Sequence, residues 1–343
     1  MTYKKIVFTV PWKVELQEED IDLKVVPDGH AVIKTHYSLI SAGTELACLS
    51  GKESWFKMPS GSGYTSVGEI VSVGKDVSGF KPGDVVFQYG PHAEYVVKPV
   101  KGIFLKVPNG LDEKLVPFAR MASIAMTSVR VSEIELGDVV AVIGQGIVGV
   151  MAAQLAKLQG AKVIAVDVSA KRLELSRACG IDHCLDSGKC NLKKKVMELT
   201  DGKGVSTLID ATGSPKVIVE SLPLIGKLGE LILLGSPRGE YQGDITDLLN
   251  YFHLWPRGCI TFKGAHEWRY PVEHDNFIKH SLERNTRIIF DLMVSKRLLL
   301  APLISHVLKP SQAQEAYGGL RMKKDEYHGV IFDWIGIKLK EES

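Results

Sequence analysis

Between a continuous apolar stretch, Val139–Ile143, and a segment whose apolar residues return at helical spacing (Val148, Ala152, Leu155, Ala156) lies the run Gly144-Gln145-Gly146-Ile147-Val148-Gly149. In that strand-to-helix setting a G-x-G-x-x-G serves a phosphate. The first glycine permits the tight turn, the second lets the backbone approach a pyrophosphate, and the third lets helix and strand pack closely. The pyrophosphate then lies at the helix N-terminus, where free N–H groups and the macrodipole favour an anion. Glycine-rich turns are common, and the alternative is a turn whose glycines serve packing alone. Context favours the cofactor: the next strand-like stretch, Lys162–Val166, leads into Asp167, eighteen residues past Gly149, where a carboxylate accepts hydrogen bonds from a ribose.

Asp167 also bears on which dinucleotide is bound. Its charge repels a 2′-phosphate, and Val168 and Ser169 follow it with no arginine immediately beside it, so NAD is expected over NADP. Lys171 and Arg172 lie a few positions on; they would help hold a phosphate, unless they form a solvated first helical turn. Thr212, Gly213, Ser236 and Pro237 follow strand-like ends, where backbone contacts to a nicotinamide are expected.

Further strand and helix patterns alternate after Leu136: Thr207–Asp210 reads as strand, Pro215–Leu224 as helix and Glu230–Leu234 as strand. This is the pattern of a parallel, doubly wound sheet buried on both faces. The first 120 or so residues differ. Short β-branched runs (Ala31–Lys34, Val67–Val73, Asp84–Phe87, Ala93–Val97) are cut by turns such as Ser60-Gly61-Ser62-Gly63 and Lys81-Pro82-Gly83-Asp84. The end of the chain turns mixed again and carries a strand-like Gly329–Trp334. The expected layout is α/β: a β-rich domain over 1–121, a dinucleotide-binding domain over 122–300, and a return segment, 301–343, that completes the first.

A chain of 343 residues accommodates two such domains. With 42 basic and 40 acidic residues there is no charge excess to drive binding to nucleic acid or to a membrane surface. No apolar run approaches the ~20 residues of a membrane span. Five scattered cysteines and a first apolar run, Ile6–Val10, that is soon broken by Pro11 suggest a cytoplasmic protein with reduced thiols.

The order of these parts resembles the medium-chain dehydrogenase/reductase superfamily, which includes zinc alcohol and polyol dehydrogenases. The resemblance rests on Gly68-Glu69-Ile70-Val71-Ser72-Val73-Gly74, Pro82-Gly83-Asp84-Val85-Val86, Ala93-Glu94-Tyr95-Val96, the glycine run and Asp210-Ala211-Thr212-Gly213. Within it, Ser38-Leu39-Ile40-Ser41-Ala42-Gly43-Thr44-Glu45 followed by Gly63-Tyr64-Thr65-Ser66-Val67-Gly68 resembles the subgroup that includes bacteriochlorophyllide hydroxyethyl dehydrogenases. The resemblance implies a GroES-like catalytic domain plus a Rossmann domain, and a homodimer or homotetramer joined through the edge strand of the nucleotide domain.

It also implies where this chain departs from its relatives. The positions that would hold the catalytic zinc are here Ala42, Tyr64 and Arg120, and the stretch that would carry the structural-zinc cysteines, between Phe87 and Ala93, has none. No zinc is therefore expected at either place. Something else must stabilise the developing alkoxide, and the aligned positions nominate Arg120 for its charge. Thr44, which matches the family's proton-relay hydroxyl, and Tyr64 are candidates to carry the proton. Glu45 is a candidate to orient Arg120 or accept a substrate hydroxyl, and His92 is a secondary acid/base.

Each residue also has a purely structural reading: an aromatic closing a loop for Tyr64, an interdomain ion pair for Arg120, turn residues for Thr44 and His92, a structural carboxylate for Glu45. The aromatic segments Tyr251–Trp255 and His266–Tyr270 suit a substrate pocket, a subunit contact or plain core. The expected function is zinc-independent, NAD-dependent oxidation of a secondary alcohol, sugar, polyol or cyclitol, to a ketone. The alternatives are an NADPH-dependent enone or quinone reductase, a bacteriochlorophyllide-type alcohol dehydrogenase, and a non-catalytic nucleotide-binding protein.

Overall fold

The computed structural model describes residues 1–23 and 25–336. The chain forms two compact units: Met1–Arg120 with the segment from Leu303 onward, and Met121–Pro302.

In the second unit six parallel strands lie in the order 183–186, 162–167, 139–143, 205–210, 225–233, 261–264. Numbered along the chain this is 3-2-1-4-5-6, the order of a dinucleotide-binding sheet, with the first strand central. Val140, Ala141, Val142, Ile164, Ala165, Leu208, Ile209, Leu231 and Ile232 are all fully buried. Successive side chains on a strand point to opposite faces, so both faces are covered, and the apolar stretches read as runs without alternation. The helix expected over 215–224 ends at Ser221 and tightens into a 3-10 turn, Leu222–Leu224. Pro223 lacks the N–H and crowds the carbonyl four residues back, which ends the α-helix. The strand expected at 230–234 starts earlier, at Ile225, because an irregularity in its pairing to Val205 and Thr207 absorbs the positive φ of Leu228. Tyr251 and Phe252 join the core of this unit, whereas Trp255 and Trp268 are about half exposed, at 55% and 54%.

The first unit is built around the long strand His30–Leu39. It pairs antiparallel with Ser66–Val73, Tyr95–Pro99 and Gly329–Asp333, so the end of the chain completes the sheet begun near its start. A smaller sheet of 13–20, 2–10 and 60–61 carries Ile6, Phe8 and Val14 inward. Their core includes Tyr317, Leu320, Phe332 and Trp334, all at most 3% exposed. Phe8 meets Tyr317 edge-on, with ring centroids 5.0 Å apart. The short helix Ala42–Leu49 packs on this core through Ala42, Leu46, Cys48 and Leu49.

Candidate cofactor and active sites

In the second unit the glycine run follows strand 139–143 and opens helix Ile147–Leu158. Gly144 has φ +90, and a Cβ there would lie 2.8 Å from Thr212 Cγ2. At Gly149 a Cβ would lie 1.8 Å from the carbonyl oxygen of Gly144, a distance no side chain survives. Gly146 is different: a Cβ built on it meets nothing within 4 Å. Gly146 is the helix N-cap and has no side-chain cap, which leaves the first-turn N–H groups at Ile147 and Val148 without a side-chain acceptor. Two glycines therefore shape the loop, and the third leaves open space over the helix N-terminus. That arrangement fits a dinucleotide pyrophosphate.

Asp167 ends strand 162–167 and is 6% exposed. Its Oδ2 accepts from the Gln145 N–H (2.7 Å) and its Oδ1 from the Ser169 N–H (2.9 Å), which fixes the carboxylate beside the glycine loop. Arg172 Nη1 lies 3.8 Å from Oδ2, so Arg172 partners the acid itself. The side chain of Gln145 turns inward, donating to the Val142 carbonyl and accepting from Ser176 Oγ; its place in the loop is structural. Val168 is exposed. At the next crossover Asp210 clamps the turn, accepting from Thr212 N, Thr212 Oγ1 (2.6 Å) and Gly213 N. Burial raises the pKa of Asp210 against these bonds. Asp210, at the end of its strand, has a role here that its motif alone does not reveal. Its signal was a carboxylate at a strand end two residues before a threonine, the pattern of an Asx turn. Ser236 is exposed at the end of the following strand.

In the first unit Tyr64, Arg120, Thr44, Glu45 and His92 come together around helix Ala42–Leu49. Arg120, 6% exposed, lies between two aromatic rings: its Cζ is 3.5 Å from the Tyr89 centroid and 4.4 Å from that of Tyr64. Cation–π attraction is strongest where water is excluded, as here. Its Nη1 also reaches the Tyr64 carbonyl, at 3.5 Å. The Tyr64 hydroxyl donates to Ser41 Oγ, and Thr44 lies near enough to act with Ser41 in lowering the phenol's pKa. Burial pushes the Tyr64 pKa up to about 12 in spite of those bonds, so the phenol stays protonated at neutral pH. Lys98, whose Nζ donates to the Tyr89 carbonyl, is pushed down to about 8 by burial and by the Arg120 charge.

Glu45 sits behind this group. Its Oε1 accepts from the Ser41 N–H (2.7 Å); its Oε2 takes His92 Nε2 (3.1 Å) and the Tyr317 hydroxyl. His92 is wholly buried, with Nδ1 2.8 Å from Ser38 Oγ. Ser38 Oγ accepts from Trp334 Nε1, a donor only. The Glu45 carboxylate only accepts, so His92 Nε2 directs a proton at it. Expected as an orienter of Arg120, Glu45 has its oxygens committed to Ser41, His92 and Tyr317. Ser38, Ser41, Tyr89, Tyr317 and Trp334 were not foreseen in these roles. Tyr317 and Trp334 lie 272 and 296 residues from their partners, and no local signal could have found them.

Ala42 offers no ligand atom, Tyr64 has given its hydroxyl to Ser41, and a guanidinium has donors and no lone pair to give a cation. The residues at these three positions do not fit a zinc ion. No group of three His, Cys, Asp or Glu suited to a metal occurs among the described residues.

A family model described as zinc-binding dehydrogenase matches residues 148–274, and one described as alcohol dehydrogenase GroES-like domain matches residues 27–109. D-guloside 3-dehydrogenase of Escherichia coli (strain K12) is 36% identical over 163 residues, 47% of this chain and 47% of that protein, so the match spans about half of its length. L-threonine 3-dehydrogenase of Pyrococcus abyssi is 27% identical over 342 residues, covering 89% of this chain and 92% of that protein. The crystal structure of galactitol-1-phosphate dehydrogenase from Escherichia coli shares the fold, with a TM-score of 0.82 at 18% identity over 96% of this chain and 99% of that one.

Proposed function

Because the chain belongs to the medium-chain dehydrogenase/reductase superfamily, we propose that it is an NAD-dependent dehydrogenase oxidising a secondary alcohol to a ketone without zinc. The observation that carries this reading is Arg120, a buried cation held between Tyr64 and Tyr89 where the family resemblance expects a zinc ligand. Bound NAD supplies the hydride acceptor for the carbinol carbon. Arg120 does what a metal otherwise does, stabilising negative charge as it develops on the substrate oxygen in a site shielded from water. With a pKa of about 12, Tyr64 is unsuited to be a resident base and suited to a relay. It accepts the substrate's hydroxyl proton as it releases its own to Ser41 Oγ, and Ser41, 8% exposed, gives up its own hydroxyl proton to solvent, with Thr44 beside the phenol.

The reading of NAD over NADP is supported by the buried carboxylate of Asp167 at the end of its strand beside the glycine loop, with Arg172 Nη1 3.8 Å from that carboxylate. A sugar, polyol or cyclitol substrate is supported by the matches to guloside and sorbitol dehydrogenases. Assembly into a homodimer or homotetramer is supported by the edge strand Thr261–Gly264, where Phe262 and the neighbouring helix residues Ile245 and Leu249 are exposed. Five cysteines without disulfides suit the cytoplasm.

The test is NADH formation by the purified protein against sugars, cyclitols and simple secondary alcohols, with a strong chelator throughout. Turnover of one polyol is expected. NADH binding with no turnover across the panel would sink the reading in favour of a nucleotide-binding protein. Activity that the chelator abolishes would sink its metal-free half.

A further inference from the structure

Behind Tyr64 stands a buried titratable cluster that takes no part in the proton path. Glu45, 3% exposed, lies in the first turn of helix Ala42–Leu49, a position that takes its carboxylate out of water. Three donors make this good: the Ser41 N–H at 2.7 Å on Oε1, and His92 Nε2 at 3.1 Å with the Tyr317 hydroxyl on Oε2. Burial, and then the Glu45 charge, hold the phenol of Tyr317 well above the ordinary tyrosine value, so its hydroxyl stays a donor. Tyr317 is 1% exposed on helix Ala313–Met322, and its ring meets Phe8 edge-on at 5.0 Å. His92 is equally fixed: Nδ1 lies 2.8 Å from Ser38 Oγ, and the ring meets Phe332 edge-on at 5.1 Å.

The cluster holds both ends of the Tyr64–Ser41 hydrogen bond. Ser41 is the N-cap of helix Ala42–Leu49, and a serine there ordinarily turns its hydroxyl to accept from a first-turn N–H. Ser41 makes no such bond; its Oγ accepts from Tyr64, while Glu45 reaches back along the first turn to the Ser41 N–H. The second hold is on the chain that leads into Tyr64. Gly63, with φ +83, lies against the His92 ring, where a Cβ would come 2.5 Å from both Cγ and Cδ2. The His92 N–H also bonds to the Ser62 carbonyl, at 2.8 Å. Donor and acceptor of the relay bond are therefore braced by one carboxylate, directly at Ser41 and through His92 at Gly63. A proton passes well only between oxygens held in line, and a misplacement of about 1 Å can cost about a hundredfold in rate.

We propose that Glu45, His92 and Tyr317 are positioning residues for the Tyr64–Ser41 relay, with Tyr317, brought in from the end of the chain, holding the carboxylate on which both braces depend. The three act through Tyr64 and Ser41 and not on the alcohol itself, so His92 works by its shape and its hydrogen bonds rather than as an acid or base. The effect on turnover rests on the dehydrogenase reading; the bracing of Tyr64 does not.

Tyr317→Phe separates the two. It removes one donor from Glu45 Oε2 and keeps the ring against Phe8. In full-length protein whose tyrosines carry carbon-13 at Cζ, the Tyr64 resonance is the one that Tyr64→Phe deletes. That resonance is expected to move in Tyr317→Phe, because the shift of a phenol Cζ follows its hydrogen bond, while tyrosine resonances that stay in place certify the fold. On the alcohol, kcat is expected to fall about tenfold with KM and NADH Kd unchanged, and the loss is expected to vanish in the Tyr64→Phe background, as coupling within one network requires. A merely structural residue would cost the same factor with or without Tyr64. Glu45→Gln is the second variant: it keeps an acceptor for Ser41, sets an NH2 against the His92 and Tyr317 donors, and is expected to move the same resonance. A resonance that neither variant moves, a kcat that Tyr317→Phe leaves at the wild-type value, or a loss repeated in full on the Tyr64→Phe background each overturns the assignment. A resonance that both variants move, in a protein that oxidises no alcohol, keeps the bracing and retires the dehydrogenase reading.

Discussion

The cofactor loop and the Arg120 site are built on opposite plans. The loop is backbone architecture: Gly144, Gly146, Gly149 and Asp167 lie within 24 residues, and what they contribute is turn geometry, open space and N–H groups. The Arg120 site is side-chain architecture. It draws Ser38, Ser41, Thr44 and Glu45 from one segment, Tyr64 and His92 from two others, Arg120 from a helix, and Tyr317 and Trp334 from the end of the chain. A site made of backbone tolerates almost no change in shape. A site made of side chains tolerates changes in shape better than changes in charge.

The largest effect should follow from touching the backbone plan. Gly149→Ala puts a Cβ 1.8 Å from the Gly144 carbonyl oxygen, so the helix must move away from the strand. Overpacking of this kind costs about 1–3 kcal/mol in a side-chain core, and more where the obstacle is backbone. We expect the thermal midpoint to fall and NADH fluorescence titration to show no saturable binding. Normal NADH affinity in Gly149→Ala would mean that the pyrophosphate lies elsewhere, and the contrast between the two plans would lose its first term.

Next comes charge in the side-chain plan. Arg120→Met keeps much of the volume between the rings of Tyr64 and Tyr89 and removes the cation. By analogy with the loss of an oxyanion donor, kcat should drop about 10²–10³-fold with NADH Kd unchanged. Arg120→Lys should rescue little, since an ammonium cannot stack flat on two rings. A variant that loses stability and keeps kcat would make Arg120 a packing residue.

The same contrast explains what could be read in advance. Strands such as Val139–Ile143 were visible because burial on both faces demands unbroken apolar runs, and the glycine loop was visible because its chemistry is local and needs particular spacings. Tyr64 and Arg120 could be nominated by alignment to a family pattern, but nothing in the chain near them announces Tyr89 as the second face of the sandwich. Glu45 illustrates the limit. A carboxylate one residue from Thr44 reads as an orienter of the nearest cation, and only the return of the chain at Tyr317 and the fully buried His92 reveal that its oxygens are committed. Long-range pairs leave no periodicity.

A smaller effect is expected at Asp167, where the two plans meet, a side chain held by backbone donors. Asp167→Asn removes the charge that repels a 2′-phosphate and the ion pair that Asp167 makes with Arg172. The ratio of kcat/KM for NADP over NAD should rise about tenfold, the effect of one charge interaction of about 1.4 kcal/mol. The amide also sets an NH2 against the N–H of Gln145 or Ser169, so some loss of stability should accompany the switch. If the ratio stays put, Asp167 braces the loop without reading the ribose.

The last effect lies at Lys98, half-buried beside Arg120, and it leaves activity alone and shows only as a dependence of stability on pH. Its pKa falls from the usual lysine value to about 8 because burial and the Arg120 charge oppose its ammonium. The unfolded chain therefore binds more protons than the folded one between about pH 8 and about 10.5, and stability from this group rises with pH across that window. Below pH 8 both states are charged and the full penalty is present. Lys98→Met removes the penalty along with the bond to the Tyr89 carbonyl, so its effect at a single pH mixes two terms. The slope isolates the first. Urea unfolding at intervals from pH 7 to 10 should give a stability difference, wild type minus variant, that grows steadily more favourable to wild type above pH 8. A flat difference would mean that Lys98 escapes the Arg120 field by reaching water, and that the charge of Arg120 acts over a shorter range than the alkoxide role requires.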